Sequence, residues 1–523
     1  MNDCIRTDVL IIGSGIAGGT AALELADAGI SVTVVTRGKE ASDSNTLHAQ
    51  GGIIFRGDMD SPELLAEDLN RAGAGYCNPD AVSILADKGP ELVSRILIDR
   101  LGIEFDRDSD GKLSFAREGS HSASRILHTA DATGRTIEHR LIEALEEHPG
   151  ITLLTGHTAV DLLTPAHHST DRLDIYKPHS CVGAYLLDRK ANTVIRCIAK
   201  RTILATGGLG QIFLRTSNPV GARGDGLAMA YRAGARAINN EYIQFHPTTF
   251  HLPPAPNFLI SEAVRGAGAR LVNADGKPFM QKYDAEWKDL APRDIVSRSM
   301  HQEMLQKNVT NLYLDLKSYI APELIRTRFP NIHQQCMEYG IDISTDLVPV
   351  VPAAHYSCGG VWTDMQGQTT IENLYAVGEV ACTGIHGANR LASSSLLEGL
   401  TWGTLASDHI RRNIQKQPAP GAEDIPGWED SGQYAPDPAL INQDRSAIKN
   451  IMWNYVGLVR SRHRLERAMR ELRHLEVEIE NFYRRSWLTD SIIGLRNAVR
   501  TAIIVTTSAW ENRRSTGCHY REN

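Results

Sequence analysis

The stretch Asp8-Val-Leu-Ile-Ile-Gly-Ser-Gly-Ile-Ala-Gly18 carries the fold. Its first five residues are a short apolar run of the kind that forms a buried strand. Beyond the glycines, Thr20–Ala28 is rich in Ala and Leu and helix-prone, and Gly29 ends it. Ser31–Thr36 (Ser-Val-Thr-Val-Val-Thr) is β-branched and reads as a second strand. Strand, glycine turn, helix and strand in that order open a doubly wound α/β sheet of Rossmann type. The turn itself, Gly13-Ser14-Gly15-Ile16-Ala17-Gly18, has G-x-G-x-x-G spacing. Gly13 permits the tight turn, Gly15 removes a Cβ that would block a pyrophosphate, and Gly18 lets the helix lie close to the strand. The helix N-terminus then offers N–H groups and a positive dipole end to phosphates. The motif predicts a dinucleotide site.

One departure stands at the end of the second strand. The acid that usually meets a ribose hydroxyl there is replaced by Thr36-Arg37, a hydroxyl and a cation that could face ribose or phosphate. Two distant segments favour FAD over NAD. Thr202–Ala205 is an apolar run closed by Thr206-Gly207-Gly208, and Leu374–Val377 is closed by Gly378 with Glu379 beside it. A nucleotide site assembled from such remote pieces suits a long, buried cofactor.

The 523 residues exceed one ordinary core, and 42% hydrophobic with 22% charged residues excludes general disorder. A net charge of −7 argues against nucleic-acid or membrane attraction, and no apolar run reaches transmembrane length. The charge is uneven: Gln443–Asn523 carries 15 Lys and Arg against 9 Asp and Glu, as expected of a solvated helical face. Eight cysteines include no C-x-x-C pair, and the N-terminus has no signal-peptide pattern, so a reducing cytoplasm is the expected location. H-E-x-x-H and G-K-[ST] are absent, which leaves no metalloprotease or P-loop signature. Five prolines between Pro418 and Pro438 mark a linker, and Leu465, Met469, Leu472, Leu475 and Ile479 recur at helical spacing beyond it.

Several further motifs coincide. They are Thr46-Leu-His-Ala-Gln-Gly-Gly52, Gly224-Asp225-Gly226, Gln244-Phe-His-Pro-Thr248, Ser261-Glu262 with Arg265-Gly266, Pro292-Arg293-Asp294, His355-Tyr-Ser-Cys-Gly-Gly360, and His386-Gly-Ala-Asn-Arg390 with Ser395-Leu396. Together they resemble the flavoprotein family of succinate dehydrogenase, fumarate reductase and L-aspartate oxidase, over nearly the whole chain. The resemblance implies an FAD-binding domain in two pieces (1–240 and 350–415), an inserted α+β capping domain (241–349), a linker (416–440) and a helical C-terminal domain (441–523). It implies FAD contacts at Gly13, Ser14, Gly15, Ile16, Ala17, Gly18, Arg37, Ser44, Asn45, Thr46, Ala49, Gln50, Gly51, Gly52, Asp225, Glu379, Ser395 and Leu396.

Three features resemble the aspartate oxidases within that family. Where the respiratory enzymes carry the histidine that bonds FAD covalently, this chain has Asn45, so non-covalent FAD is expected. Arg117-Glu118-Gly119-Ser120-His121-Ser122 with Arg125-Ile-Leu-His128 resembles their REGGHS and RILH segments, with Ser120 in place of Gly. His355-Tyr-Ser-Cys is also closer to theirs. Ser394 stands where the family usually has Asn.

The implied reaction is oxidation of L-aspartate to iminoaspartate, the first step of de novo NAD biosynthesis, with the flavin reoxidised by oxygen or fumarate. Iminoaspartate then passes to quinolinate synthase, with or without direct contact. A dicarboxylate needs cations at both ends. Arg390 offers a planar fork, His246 and His355 further donors, Gln244 and Ser261 second contacts, and Glu118 a partner for the ammonium. The family's proton donor and acceptor falls on Arg293, with Glu262 and Arg265 as its relay. A soluble fumarate reductase or succinate dehydrogenase-type flavoprotein is the alternative enzyme, and an RNA-modifying flavoprotein the alternative of another class.

Overall fold

The computed structural model describes residues 4–414 and 424–522. Residues 416–423 of the expected linker lie outside this range, as do 1–3, 415 and 523. A seven-stranded sheet forms the centre. Strands Ile151–Leu154, Val32–Val35, Cys4–Ile12 and Thr193–Leu204 lie side by side in parallel. The 12-residue strand Thr193–Leu204 changes partner along its length. Its first half pairs antiparallel with Gly183–Asp188, which pairs with His157–Leu163. Its last residues pair in parallel with Leu374–Ala376. That exchange returns the chain to the sheet after a long excursion and sets Gly378-Glu379 beside the glycine turn.

The helix Ile16–Asp27 follows the turn and packs under the long helix Ser394–Asn413. Both helices bury almost wholly apolar or small residues, and they share a core with Val9, Ile11, Val32 and Val34 from one sheet face. The inserted segment is a four-stranded antiparallel sheet in the order Ile243–Phe250, Val348–Ser357, Leu312–Asp315, Arg270–Val272. It has its own core, from Phe250 and Val264 to Met300 and Val350. The helix Arg293–Lys307 packs against its first strand.

Helices Pro438–Val456, Arg462–Arg485 and Asp490–Glu511 close the chain. The first opens at Pro438, inside the expected linker, because Asp437 caps it by accepting from the Ala439 N–H at 2.8 Å. Leu465, Leu472 and Ile479 are fully buried, and Met469 and Leu475 pack beside them. This core runs on without a break into Leu162, Ile198 and Leu227 of the sheet domain. The basic excess of this region stands on exposed positions such as Arg462, Arg470 and Arg473, whereas Arg496 pairs with Asp161 at 3.0 Å across the interface. All eight cysteines are free. Among the described residues no helix is long and apolar enough to cross a membrane.

Candidate active site

One cavity runs from the glycine turn to the seam between sheet and cap. Every residue expected to meet FAD lines it except Gly18. Gly18 instead closes the helix onto the strand: a Cβ there would stand 2.0 Å from the Gly13 carbonyl oxygen. Gly13 has φ +118° and lies against the Ala205 carbonyl, so two strands and a helix converge on it. Gly15 is the N-cap of the helix and supplies no side-chain acceptor, and the first turn contains no acid. The dipole end therefore faces the cavity uncompensated. Around it stand Ser44, Thr46 and, at the far end, Arg37.

Arg37 reaches Asp490 of the last helix at 3.5 Å, and Asp490 also takes Arg223 at 3.0 Å and the Thr158 hydroxyl at 2.9 Å. Asp225 is bound by Arg223 at 2.7 Å and by Asn497 at 2.8 Å. At the middle of the cavity Glu379 accepts from the Ser357 N–H at 3.0 Å and from Asn45 Nδ2 at 2.8 Å. Burial outweighs these bonds and lifts its carboxyl to about 7. Asn45 Oδ1, Gln50 Oε1 and Thr206 Oγ1 are buried in the wall without partners. Such atoms need a polar ligand, and FAD, with its phosphates, ribityl hydroxyls and ring heteroatoms, fits this wall. Asn45 has no ring nitrogen with which to bond it covalently.

The other end of the cavity is built from side chains. Glu118, His246, Ser261, Glu262, Arg293, His355, Arg390 and Ser395 all line it. Arg390 donates to Ser395 Oγ and to His355 Nε2, both at 3.0 Å, and lies 4.5 Å from the centre of the Tyr356 ring. Tyr356 donates to Glu398 Oε2 at 2.9 Å, and Glu398 also holds His386 at 2.8 Å. His246 Nδ1 accepts the Thr248 N–H at 3.2 Å, so its proton sits on Nε2, which is buried and without a partner. Burial and Arg293 keep the ring neutral, its pKa far below the usual histidine range.

Arg293 Nε donates to Glu262 Oε2 at 2.6 Å and its Nη1 to Gln244 Oε1 at 2.9 Å. Burial would raise the Glu262 carboxyl, but Arg293 and Arg265 outweigh it and hold it at about 2. Glu118 is buried beside these groups and accepts from Ser393 Oγ at 2.6 Å. Burial and then the charge of Glu262 raise its carboxyl, against the pull of Ser393, Arg293 and Arg390.

Three expectations shift. Gln244 does not reach the cavity: its amide is spent on Asn389, the Arg390 carbonyl and Arg293, so it holds the two arginines. Arg265 also lies behind, close to Glu262 and donating to the Asp289 carbonyl. His355 is not a free donor. Its Nε2 accepts from a guanidinium and its Nδ1 donates to Ser217 Oγ at 2.8 Å, so in this arrangement it positions Arg390.

Sequence reasoning missed Ser393, Ser217 and Glu398. Ser393 has φ +57°, a backbone state that no local pattern announces. Ser217 and Glu398 act through neighbours far along the chain. Tyr356 belongs to the His355-Tyr-Ser-Cys motif, but nothing in the sequence marks its ring as the surface beneath Arg390. The two departures from the family also resolve. Ser120 has φ +65°, which is why glycine suits that place. Ser394 donates to the Leu391 carbonyl at 2.8 Å and does not line the cavity.

Comparison with known proteins agrees with this geometry. Residues 8–396 match the family described as FAD binding domain, and 445–523 match that described as fumarate reductase flavoprotein C-term. The chain is 43% identical to L-aspartate oxidase 1 of Ralstonia nicotianae over 98% of its length and 94% of that protein. It is 41% identical to the L-aspartate oxidase of Vibrio cholerae, over 98% and 95%. Among solved structures it resembles the E. coli quinol fumarate reductase FrdA, with a TM-score of 0.89 and 25% identity over 100% of this chain and 92% of that one. A cradle for FAD, a cationic pocket beside it and likeness along almost the whole length lead to one conclusion: the chain belongs to the L-aspartate oxidase family of FAD-binding flavoproteins.

Proposed function

We propose that the protein oxidises L-aspartate to iminoaspartate with non-covalent FAD, as the first step of NAD biosynthesis. The observation that carries this reading is the buried carboxyl group of Glu118 in a pocket it shares with Arg293, Arg390 and His246, where the other acid, Glu262, is already paired with Arg293. A four-carbon diacid alone needs only the cations, whereas a diacid bearing an ammonium also needs an acceptor. FAD, when bound, supplies the two-electron acceptor for the hydride that leaves C2. The protein supplies placement and proton handling.

Arg390, fixed by Ser395, His355 and Tyr356, takes one carboxylate in a bidentate grip. His246 offers its Nε2–H. Glu118, pinned by Ser393, receives the ammonium. Loss of the hydride from C2 with one proton from the ammonium gives the iminium, and loss of a second proton from the same nitrogen gives iminoaspartate. A guanidinium takes up a proton only as it passes one on. Arg293 is therefore assigned as the exchange point, with Glu262 at 2.6 Å as the group behind it and Arg265 behind that.

Oxygen or fumarate completes the cycle as electron acceptor. The likeness to fumarate reductase supports fumarate, which matches the diacid pocket and needs no contact with Glu118. We assign the enzyme to the cytoplasm, in keeping with its free cysteines, and its product to quinolinate synthase. The test is a pair of variants. Arg293→Leu should lower aspartate turnover by roughly 1,000-fold or more with FAD still bound. Glu118→Gln should raise KM for aspartate about tenfold and leave fumarate reduction within about twofold. Equal losses on both substrates would favour a general fumarate reductase over an aspartate oxidase.

A further inference from the structure

Glu118 reaches the cavity from a loop, whereas His121, Ser122 and Arg125 of the same motif do not line it. The loop joins the short strands Phe115–Ala116 and Ile126–Leu127, which pair antiparallel. Glu118 stands outside both strands, so bonds from other segments must fix it. On the inner side the His121 Nε2–H donates to the Ala392 carbonyl at 3.1 Å, next to the Ser393 that holds Glu118. On the outer side stands Asp68, on the helix Pro62–Ala72. Its Oδ2 accepts from the Ser122 N–H and from the Ser122 hydroxyl, both at 2.8 Å, and lies 2.9 Å from Arg125 Nη1. Its Oδ1 pairs with Arg71, which also donates to the Ser120 carbonyl at 3.1 Å. The other terminal nitrogen of Arg125 meets Asp60 at 2.8 Å. The side chains of Arg125, Asp60 and Asp68 are 0%, 2% and 1% exposed, so water cannot replace these bonds.

Each of these partners of Asp68 is a donor, and a carboxylate can accept from all of them. An amide could not. Whichever way it turned, its NH2 would face either Ser122 and Arg125 or Arg71. The pocket's cations hang from other supports: Arg293 from Glu262 and Gln244, and Arg390 from Ser395 and His355. Among the described residues, Asp68, Ser122 and Arg125 form no bond to Arg293, Arg390 or His246. The group that reads an ammonium and the groups that read carboxylates are therefore held separately. We propose that the buried Asp68–Arg125 pair, acting through Ser122, is a positioning device that sets the reach of Glu118 and so the preference for an amino diacid over a plain one. This rests on the reading of Glu118 as the partner of the ammonium. A displacement of about 0.5 Å spoils such a contact. A loosened loop then costs recognition of the amine and leaves the grip on the two carboxylates in place.

The experiment is steady-state aspartate oxidation by the full chain with FAD bound, with succinate, a four-carbon diacid without nitrogen, as competitive inhibitor. Asp68→Asn should raise KM for aspartate about fivefold, with kcat and the Ki for succinate each within about twofold. In a Glu118→Gln background the same change should raise KM less than about twofold further, because its effect runs through Glu118. A parallel rise in KM and Ki, no rise in KM, or a full fivefold rise on top of Glu118→Gln overturns the proposal. Glu118→Gln alone tests the reading beneath it. An unchanged KM there removes the ammonium partner and this proposal with it, whereas a raised KM beside an inert Asp68→Asn removes the proposal only. Should Asp68→Asn not fold, Ser122→Ala decides, since it deletes the hydroxyl bond and keeps the Asp68–Arg125 pair. A rise of about threefold in KM for aspartate with Ki for succinate unmoved supports the proposal, and an unchanged KM or a parallel shift overturns it.

Discussion

The two ends of the cavity are built from different materials. At the nucleotide end the frame is backbone, a glycine turn, a helix N-terminus and carbonyls that leave no room for a Cβ, with side chains such as Asn45, Thr46 and Glu379 set around it. At the substrate end the contacts are side chains from segments spread between Glu118 and Ser395, and Arg293, Arg390 and Glu118 are each held by another side chain. A backbone site is fixed by local spacing and fails abruptly when altered. A side-chain site is fixed by its supporting bonds and fails by degrees.

Substitutions can break or sharpen that contrast. Gly18→Ala should act hardest, since its Cβ would meet a carbonyl oxygen at 2.0 Å and the helix must move off the strand. The expected loss is about 3 kcal/mol of stability together with FAD binding, read by thermal melting and flavin retention. Graded loss of flavin with an unchanged melting point would erase the distinction. Arg390→Lys should come next. It keeps the charge but gives up the fork to Ser395 and His355 and the stack on Tyr356. A fall of roughly 30-fold in kcat/KM for aspartate, about 2 kcal/mol, is expected with FAD binding intact. Loss of FAD instead would mean that the two ends are one unit. Ser120→Gly is the mildest. The serine side chain makes no hydrogen bond and its backbone is left-handed, so glycine relieves strain but gains freedom when unfolded. A net gain of about 0.5 kcal/mol, seen as a small rise in Tm, is expected with kcat unchanged.

The same contrast explains what the sequence disclosed. The strand, turn and helix were legible because glycine spacing and apolar runs are local signals, although the strand begins at Cys4 and not Asp8, and the helix at Ile16 and not Thr20. Glu379 was legible because a strand-ending glycine precedes it. Arg293, Arg390 and Glu118 were found only through resemblance to a family, since nothing local separates a cavity arginine from one in an ion pair. Resemblance named residues without their geometry: Gln244 lies behind the cavity and holds two arginines, and His355 lines the cavity with both ring nitrogens engaged. Ser393 escaped because its importance comes from a positive φ and a partner 275 positions away.

Asp490 stands at the first turn of the last long helix and clasps Arg37 and Arg223 from across the molecule. During synthesis the glycine turn leaves the ribosome within the first few dozen residues, whereas the clasp for Arg37 arrives more than 450 residues later. A nascent chain thus carries an unfinished nucleotide pocket for almost the whole of its translation. Flavin loading then becomes a report that translation has passed Asp490, and a product truncated before that residue should leave the ribosome colourless.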